Sequence, residues 1–126
     1  MSGPYYAVKR WETQWQADVD VLALGEGVQV KVLRDDRERR ELDLMIRFPP
    51  GYKEPAHSHA SSHSTMVLEG TQIVGGVHLH PGDYGYGPPD EVHGPFDYPE
   101  GCVVFACFRG DSAHHVVADS TQGGSA

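Results

Sequence analysis

Cysteine is nearly absent from this chain: Cys102 and Cys107 are the only two among 126 residues. They stand five apart in the apolar run "CVVFACF", and an odd separation sends them to opposite faces of a strand, so they cannot easily pair. The sequence therefore reads as one with buried, reduced thiols. Long hydrophobic runs are missing too. No stretch approaches the roughly 20 apolar residues that span a bilayer, and no basic start leads into an apolar segment of signal-peptide length. The expectation is a soluble, cytoplasmic chain with no membrane partner. Positive charge is also scarce, with ten Lys plus Arg against eighteen Asp plus Glu and a net charge of −8. Nucleic acid or an anionic membrane would be repelled, which leaves a small molecule as the expected ligand. Phosphate loops, dinucleotide fingerprints and Ser-His-Asp or Cys-His arrangements are not found.

Helical periodicity is scarce as well, and what takes its place is alternation. "GVQVKVL" (27–33) sets Val28, Val30 and Val32 on one face, and "ELDLMIRF" (41–48) alternates Leu42, Leu44 and Ile46 with Asp43, Met45 and Arg47. "RDDRERR" between them has mixed sign and falls where a hairpin turn is expected, so it reads as solvated loop. Further strands are expected at "STMVLEG", "TQIVGGVHLH", "GDYGYG" and "CVVFACFRG", punctuated by turns at Gly75-Gly76, Pro81-Gly82 and Pro88-Pro89. "YYAVKRWETQWQ" near the start reads as an edge strand or a short helix. Many short strands point to an all-β sandwich or barrel. The length suits a single domain, expected over 1–118, with 119–126 as a disordered tail. The expected core includes Leu44, Ile46, Val67, Val104 and Phe105.

One stretch is rich in a residue that cores rarely collect. "PAHSHASSHSTMVLEG" (55–70) carries His57, His59 and His63, all at odd positions, so an extended chain can turn all three to one side. The His-X-His pair alone sets two imidazoles about 7 Å apart on one face, near enough to reach one ion at about 2.1 Å.

The spacing goes further. Five residues separate Gly51 from His57, one separates His57 from His59, three lead to His63 and six to Gly70. Gly82 is followed by five residues and Pro88, and His93 comes five positions after that proline. These blocks resemble the paired motifs of the cupin superfamily, G(X)5HXH(X)3-4E(X)6G and G(X)5PXG(X)2H(X)3N, over roughly residues 47–108. There are three departures: His63 stands at the usual glutamate, Asp90 at the second-motif glycine and Asp97 at its asparagine.

The resemblance implies a single cupin barrel of jelly-roll type. It also implies that His57, His59, His63 and His93 hold one divalent metal, zinc first, with iron or nickel as alternatives, since imidazole donors suit these ions and suit Mg or Ca poorly. Four neutral imidazoles would leave the ion its full +2 charge, favouring polarised carbonyls and enolates. Two enzyme classes of the wider family fit. The leading expectation is a zinc-type cyclase acting on a poly-β-keto chain, similar to the cupin-type aromatic polyketide cyclases of the resistomycin type. The alternative is an iron dioxygenase that cleaves a β-diketone, and a non-catalytic metal- or ligand-binding cupin comes third. Either metal-activated water or Tyr86 would then serve as base, with Arg47 as a second catalytic candidate because it shares a face with Asp43 and Met45. Small cupins are usually homodimers, and the resemblance implies the same here.

Overall fold

A computed structural model describes residues 5–18, 24–58 and 60–110, and every helix or strand element within them is a strand. The alternation read at 27–33 and 41–48 becomes a hairpin of β2 (Gln29–Asp36) and β3 (Glu41–Phe48), preceded by an edge strand β1 (Gln16–Ala17). The Asp36 side chain accepts the Arg39 amide at 2.9 Å and Arg40 takes a φ of 58°, which together close the charged turn. β5 (Ser62–Gly70), β8 (Tyr84–Gly87) and β10 (Cys102–Arg109) complete a six-stranded antiparallel sheet in the order β1-β2-β3-β10-β5-β8. β4 (Tyr52–Glu54), β6 (Gln72–Val74), β7 (Val77–Leu79) and β9 (Phe96–Tyr98) make a second, four-stranded sheet in the order β4-β9-β6-β7. The result is the expected all-β cupin body, with two sheets facing each other and no continuous closed barrel. No helix among the described residues is long and apolar enough to cross a membrane. The expected tail at 119–126 lies outside the described residues.

Parity decides what is inside. Leu42, Leu44, Ile46 and Phe48 of β3 face the core with Val104, Ala106 and Phe108 of β10, and Val67 joins them from β5. Phe96 and Tyr98 close the core from the other sheet, and Phe48 stacks on Tyr98 with ring centroids 3.9 Å apart and planes 10° from parallel. Phe105 corrects an expectation. It occupies an odd position between two inward residues, so it pairs with Met45 and Met66 and is only partly buried. The cysteines obey the same rule: Cys102 is in the core and Cys107 on the other face, both free thiols.

Charge on the outer face is organised around Asp43. Arg34 reaches it at 3.0 Å and Glu41 at 2.6 Å, and Arg109 reaches Asp43 at 2.8 Å. Burial works against the Asp43 charge, yet hydrogen bonds from Arg109 and Arg34 prevail and hold its carboxyl below the usual range. Arg34, read as part of a solvated loop, is thus tied into the sheet. Gly70 has a φ of +79°, and a Cβ there would run into the Gly101 carbonyl oxygen, so only glycine fits the crossover from β5 to β6.

Leu44 is fully buried at the centre of β3. Leu44→Ala should therefore cost about 2–5 kcal/mol, read as a lower urea midpoint with an unaltered slope.

Candidate functional site

His57 and His93 are locked to each other. Each backbone amide donates to the other's carbonyl at 2.9 Å, an isolated antiparallel bridge between the segment after β4 and the segment before β9. Residues directly opposite in such a pair project to the same side. Their rings accordingly meet edge to face with centroids 4.9 Å apart. His63 arrives from the other sheet, on β5, and its ring lies 4.7 Å from that of His93. Three residues separated by up to 36 positions of sequence therefore converge on one spot. Phe96 stacks beside His57 at 5.3 Å and Phe108 lies 5.7 Å from His63, so the cluster has an apolar frame.

The imidazoles are oriented as well as gathered. Nδ1 of His57 lies 3.0 Å from the Pro55 carbonyl oxygen, and Nδ1 of His93 lies 3.1 Å from that of Glu91. A carbonyl can only accept, so both Nδ1 atoms carry the proton, which in the neutral ring makes Nε2 the lone-pair nitrogen. Nε2 of His93 and Nδ1 of His63 are sealed from solvent. Crowded imidazole nitrogens of this kind repel one another when protonated and are relieved by a shared cation. The donor chemistry fits a divalent ion of the zinc, iron or nickel type. Among the described residues, no group of three His, Cys, Asp or Glu could hold a metal ion unaided, and His59, the fourth expected ligand, lies outside the described residues.

Space for the His63 ring is made on β8. His63 pairs with Gly87, where a Cβ would overlap the ring, with both ring nitrogens at 2.9 Å. Tyr86 pairs with Ser64, one step out of phase with His63, and is 58% exposed, and it shares the wall of an adjoining pocket with His63 and His93. Gly85 and Gly87 hold the inward positions of β8. Arg47 points away. It is exposed, donates to the Gln29 side chain at 3.0 Å and lies 4.1 Å over the Trp15 ring, because the inward positions of β3 are the even ones. It is a clamp on the outer face.

The imidazoles open onto a cavity of about 60 Å³ walled by Ile46, Phe48, Phe96, Val104 and Phe108. Thr65 shares its wall with two polar residues not anticipated from the sequence, Glu54 and Gln72. The signal for Glu54 is short. In "YKE" the outward Lys53 pairs with Asp97 at 2.9 Å, which by alternation turns Tyr52 and Glu54 inward. Burial, and secondarily the nearby Asp18 charge, push the Glu54 carboxyl up to about 7. Gln72 carries no such signal, since an amide ordinarily belongs to the surface.

Imidazoles drawn from one sheet and from segments flanking the other, in an antiparallel, jelly-roll-like body, are the mark of the cupin class. More closely, the chain belongs to the ChrR cupin-like domain family, whose model matches residues 12–112. A search of curated proteins finds no match in sequence. Solved structures share the fold. An RmlC-like cupin from Shewanella frigidimarina has 23% identity, covers 88% of this chain and 96% of its own, and superposes with a TM-score of 0.69. An acetylacetone dioxygenase from Acinetobacter johnsonii has 17% identity over 98% of this chain and 91% of its own, with a TM-score of 0.67. A chain of the Rhodobacter sphaeroides complex of SigE with the anti-sigma ChrR has 20% identity over 79% of this chain and 51% of its own, with a TM-score of 0.59.

Gly87→Ala should leave far-ultraviolet circular dichroism intact, displace the His63 ring resonances in the NMR spectrum and destabilise the fold by about 1–3 kcal/mol through overpacking. Glu54 supplies a pH test. Its carboxyl titrates near 4.5 when exposed and at about 7 in the fold, so the fold binds the proton more tightly. Stability relative to Glu54→Gln should be greatest below pH 4.5 and fall as pH rises through 7, measured by urea unfolding of the metal-free proteins.

Proposed function

We propose that this cupin is a metal-dependent enzyme acting on a compact β-dicarbonyl compound. The observation that carries the reading is the convergence of His57, His63 and His93, from three separate segments, on one apolar cavity. With His59 they would hold the ion. Bound there, a divalent metal supplies Lewis acidity that polarises a carbonyl and stabilises an enolate.

The chain's own groups supply the rest. The Glu54 carboxylate, titrating near neutrality, can take the proton from the carbon between two carbonyls and return it. Ile46, Phe48, Phe96 and Phe108 exclude water and accept the hydrocarbon flanks of the ligand.

Cavity size favours the smaller ligand. About 60 Å³ leaves no room for an extended poly-β-keto chain, and a short diketone is nearer its size. Oxidative cleavage of a β-diketone therefore moves ahead of polyketide cyclisation. The fold-level likeness to an acetylacetone dioxygenase supports the same direction.

Metal analysis of protein purified without added metal, followed by aerobic and anaerobic assay on a β-diketone, tests the reading. We expect bound metal, oxygen uptake matched to carbon-carbon cleavage, and at least about a tenfold loss of metal affinity in His57→Ala, His63→Ala and His93→Ala. Cyclisation of a poly-β-keto substrate by the zinc form without oxygen would restore the cyclase reading. Failure to bind metal at all would end both.

A further inference from the structure

Gln72 is the polar group whose chemistry the metal cluster does not use. It sits on β6, is 4% exposed and lines the cavity beside His63, Thr65 and His93. Its Nε2 donates to the Tyr98 hydroxyl at 3.1 Å, which anchors the amide. Its Oε1 is buried and has no hydrogen-bond partner among the described residues. An amide oxygen left in this state disfavours folding, and a cavity wall is where a bound molecule can remove that cost.

We infer that Gln72 sets ligand specificity: its Oε1 accepts a hydrogen bond from an N–H or O–H group on the flank of the β-dicarbonyl, so the cavity selects a β-keto amide or a hydroxylated diketone over a plain diketone. The inference rests on the functional reading above for the presence of a dicarbonyl over the imidazoles. The selecting feature is separate. Apart from Glu54, Thr65 and the imidazoles, the rest of the wall is largely hydrocarbon, and an apolar wall discriminates weakly between a methyl and an amino group, whereas a preset acceptor discriminates strongly. Tyr98 contributes indirectly, as a positioning residue. It is almost wholly buried and stacked on Phe48, so the atom that holds the Gln72 amide does not itself move.

Acetoacetamide and pentane-2,4-dione form a matched pair for the test, alike in shape and differing by an amino group in place of a methyl. Their binding to the zinc-loaded full chain, measured by calorimetry under nitrogen, requires no turnover. Wild type should bind acetoacetamide at least about tenfold more tightly, the value of one well-made buried hydrogen bond. Gln72→Met should bring the ratio to about one while zinc content and diketone binding persist. Tyr98→Phe should reduce the ratio without altering zinc content. Equal binding of the two ligands by wild type, or a preference that survives in Gln72→Met, would overturn the role of Gln72 and leave the dicarbonyl reading standing. Binding of neither ligand by protein that holds zinc would overturn both. The wild-type comparison stands even if a variant fails to fold.

Discussion

Two backbone hydrogen bonds between His57 and His93 hold the two halves of the site together. They fasten the segment after β4 to the segment before β9, and through these strands they set both imidazoles on one wall of the second sheet. Side-chain contacts could slide; a reciprocal main-chain pair cannot do so without giving up both bonds at once. The position of His63 then follows from the packing of the other sheet against this wall. Phe48, stacked on Tyr98, fixes the spacing between the sheets, and the missing side chain at Gly87 leaves room for the ring. The cluster is thus assembled by main-chain pairing on one side and by sheet-on-sheet packing on the other.

A cavity lined in this way is a local expense within an otherwise well-packed core. A carboxyl near hydrocarbon, an amide oxygen without a partner among the described residues and several imidazoles in close approach each disfavour folding, and none would be expected in a core selected for stability alone. Their concentration in one place, against a background of Leu44, Val67 and Val104 packed to exclusion of solvent, marks the cavity as the part of the molecule shaped by something other than stability. The polar cluster of Arg34, Glu41, Asp43 and Arg109 differs in kind. There opposite charges meet in close ion pairs on the outer face.

Much of the fold was legible in the sequence because alternation is a local signal. β2 and β3 announced themselves through Val28, Val30, Leu42, Leu44 and Ile46, and the spacing of Gly51, His57, His63 and Gly70 carried the family resemblance. What alternation does not carry is phase. It divides Arg47 from Ile46 and Tyr86 from Gly87 but leaves open which of each pair faces inward, and that is decided by partner strands remote in sequence. Phe105 was misplaced because a large aromatic residue looks more like an interior residue than the alanine beside it. On β8 the logic is inverted, since the glycines face in because an imidazole already fills the space. Glu54 and Gln72 were illegible for the opposite reason. Their chemistry argues for solvent, and only the tertiary fold turns it toward a cavity.

The two cysteines make β10 a reporter of its own integrity. Burial pushes the Cys102 thiol up to about 12, so almost no thiolate exists at neutral pH, and the side chain is enclosed between β3, β5 and the crossover at Gly70. Cys107 lies on the opposite face of the same strand and is only partly covered. A thiol reagent therefore meets two clocks on a single element: modification at Cys107 follows small fluctuations of the outer face, whereas modification at Cys102 waits for the central strand to leave its neighbours. The ratio of the two rates reads out how often the middle of the sheet opens, without a label being introduced anywhere in the molecule.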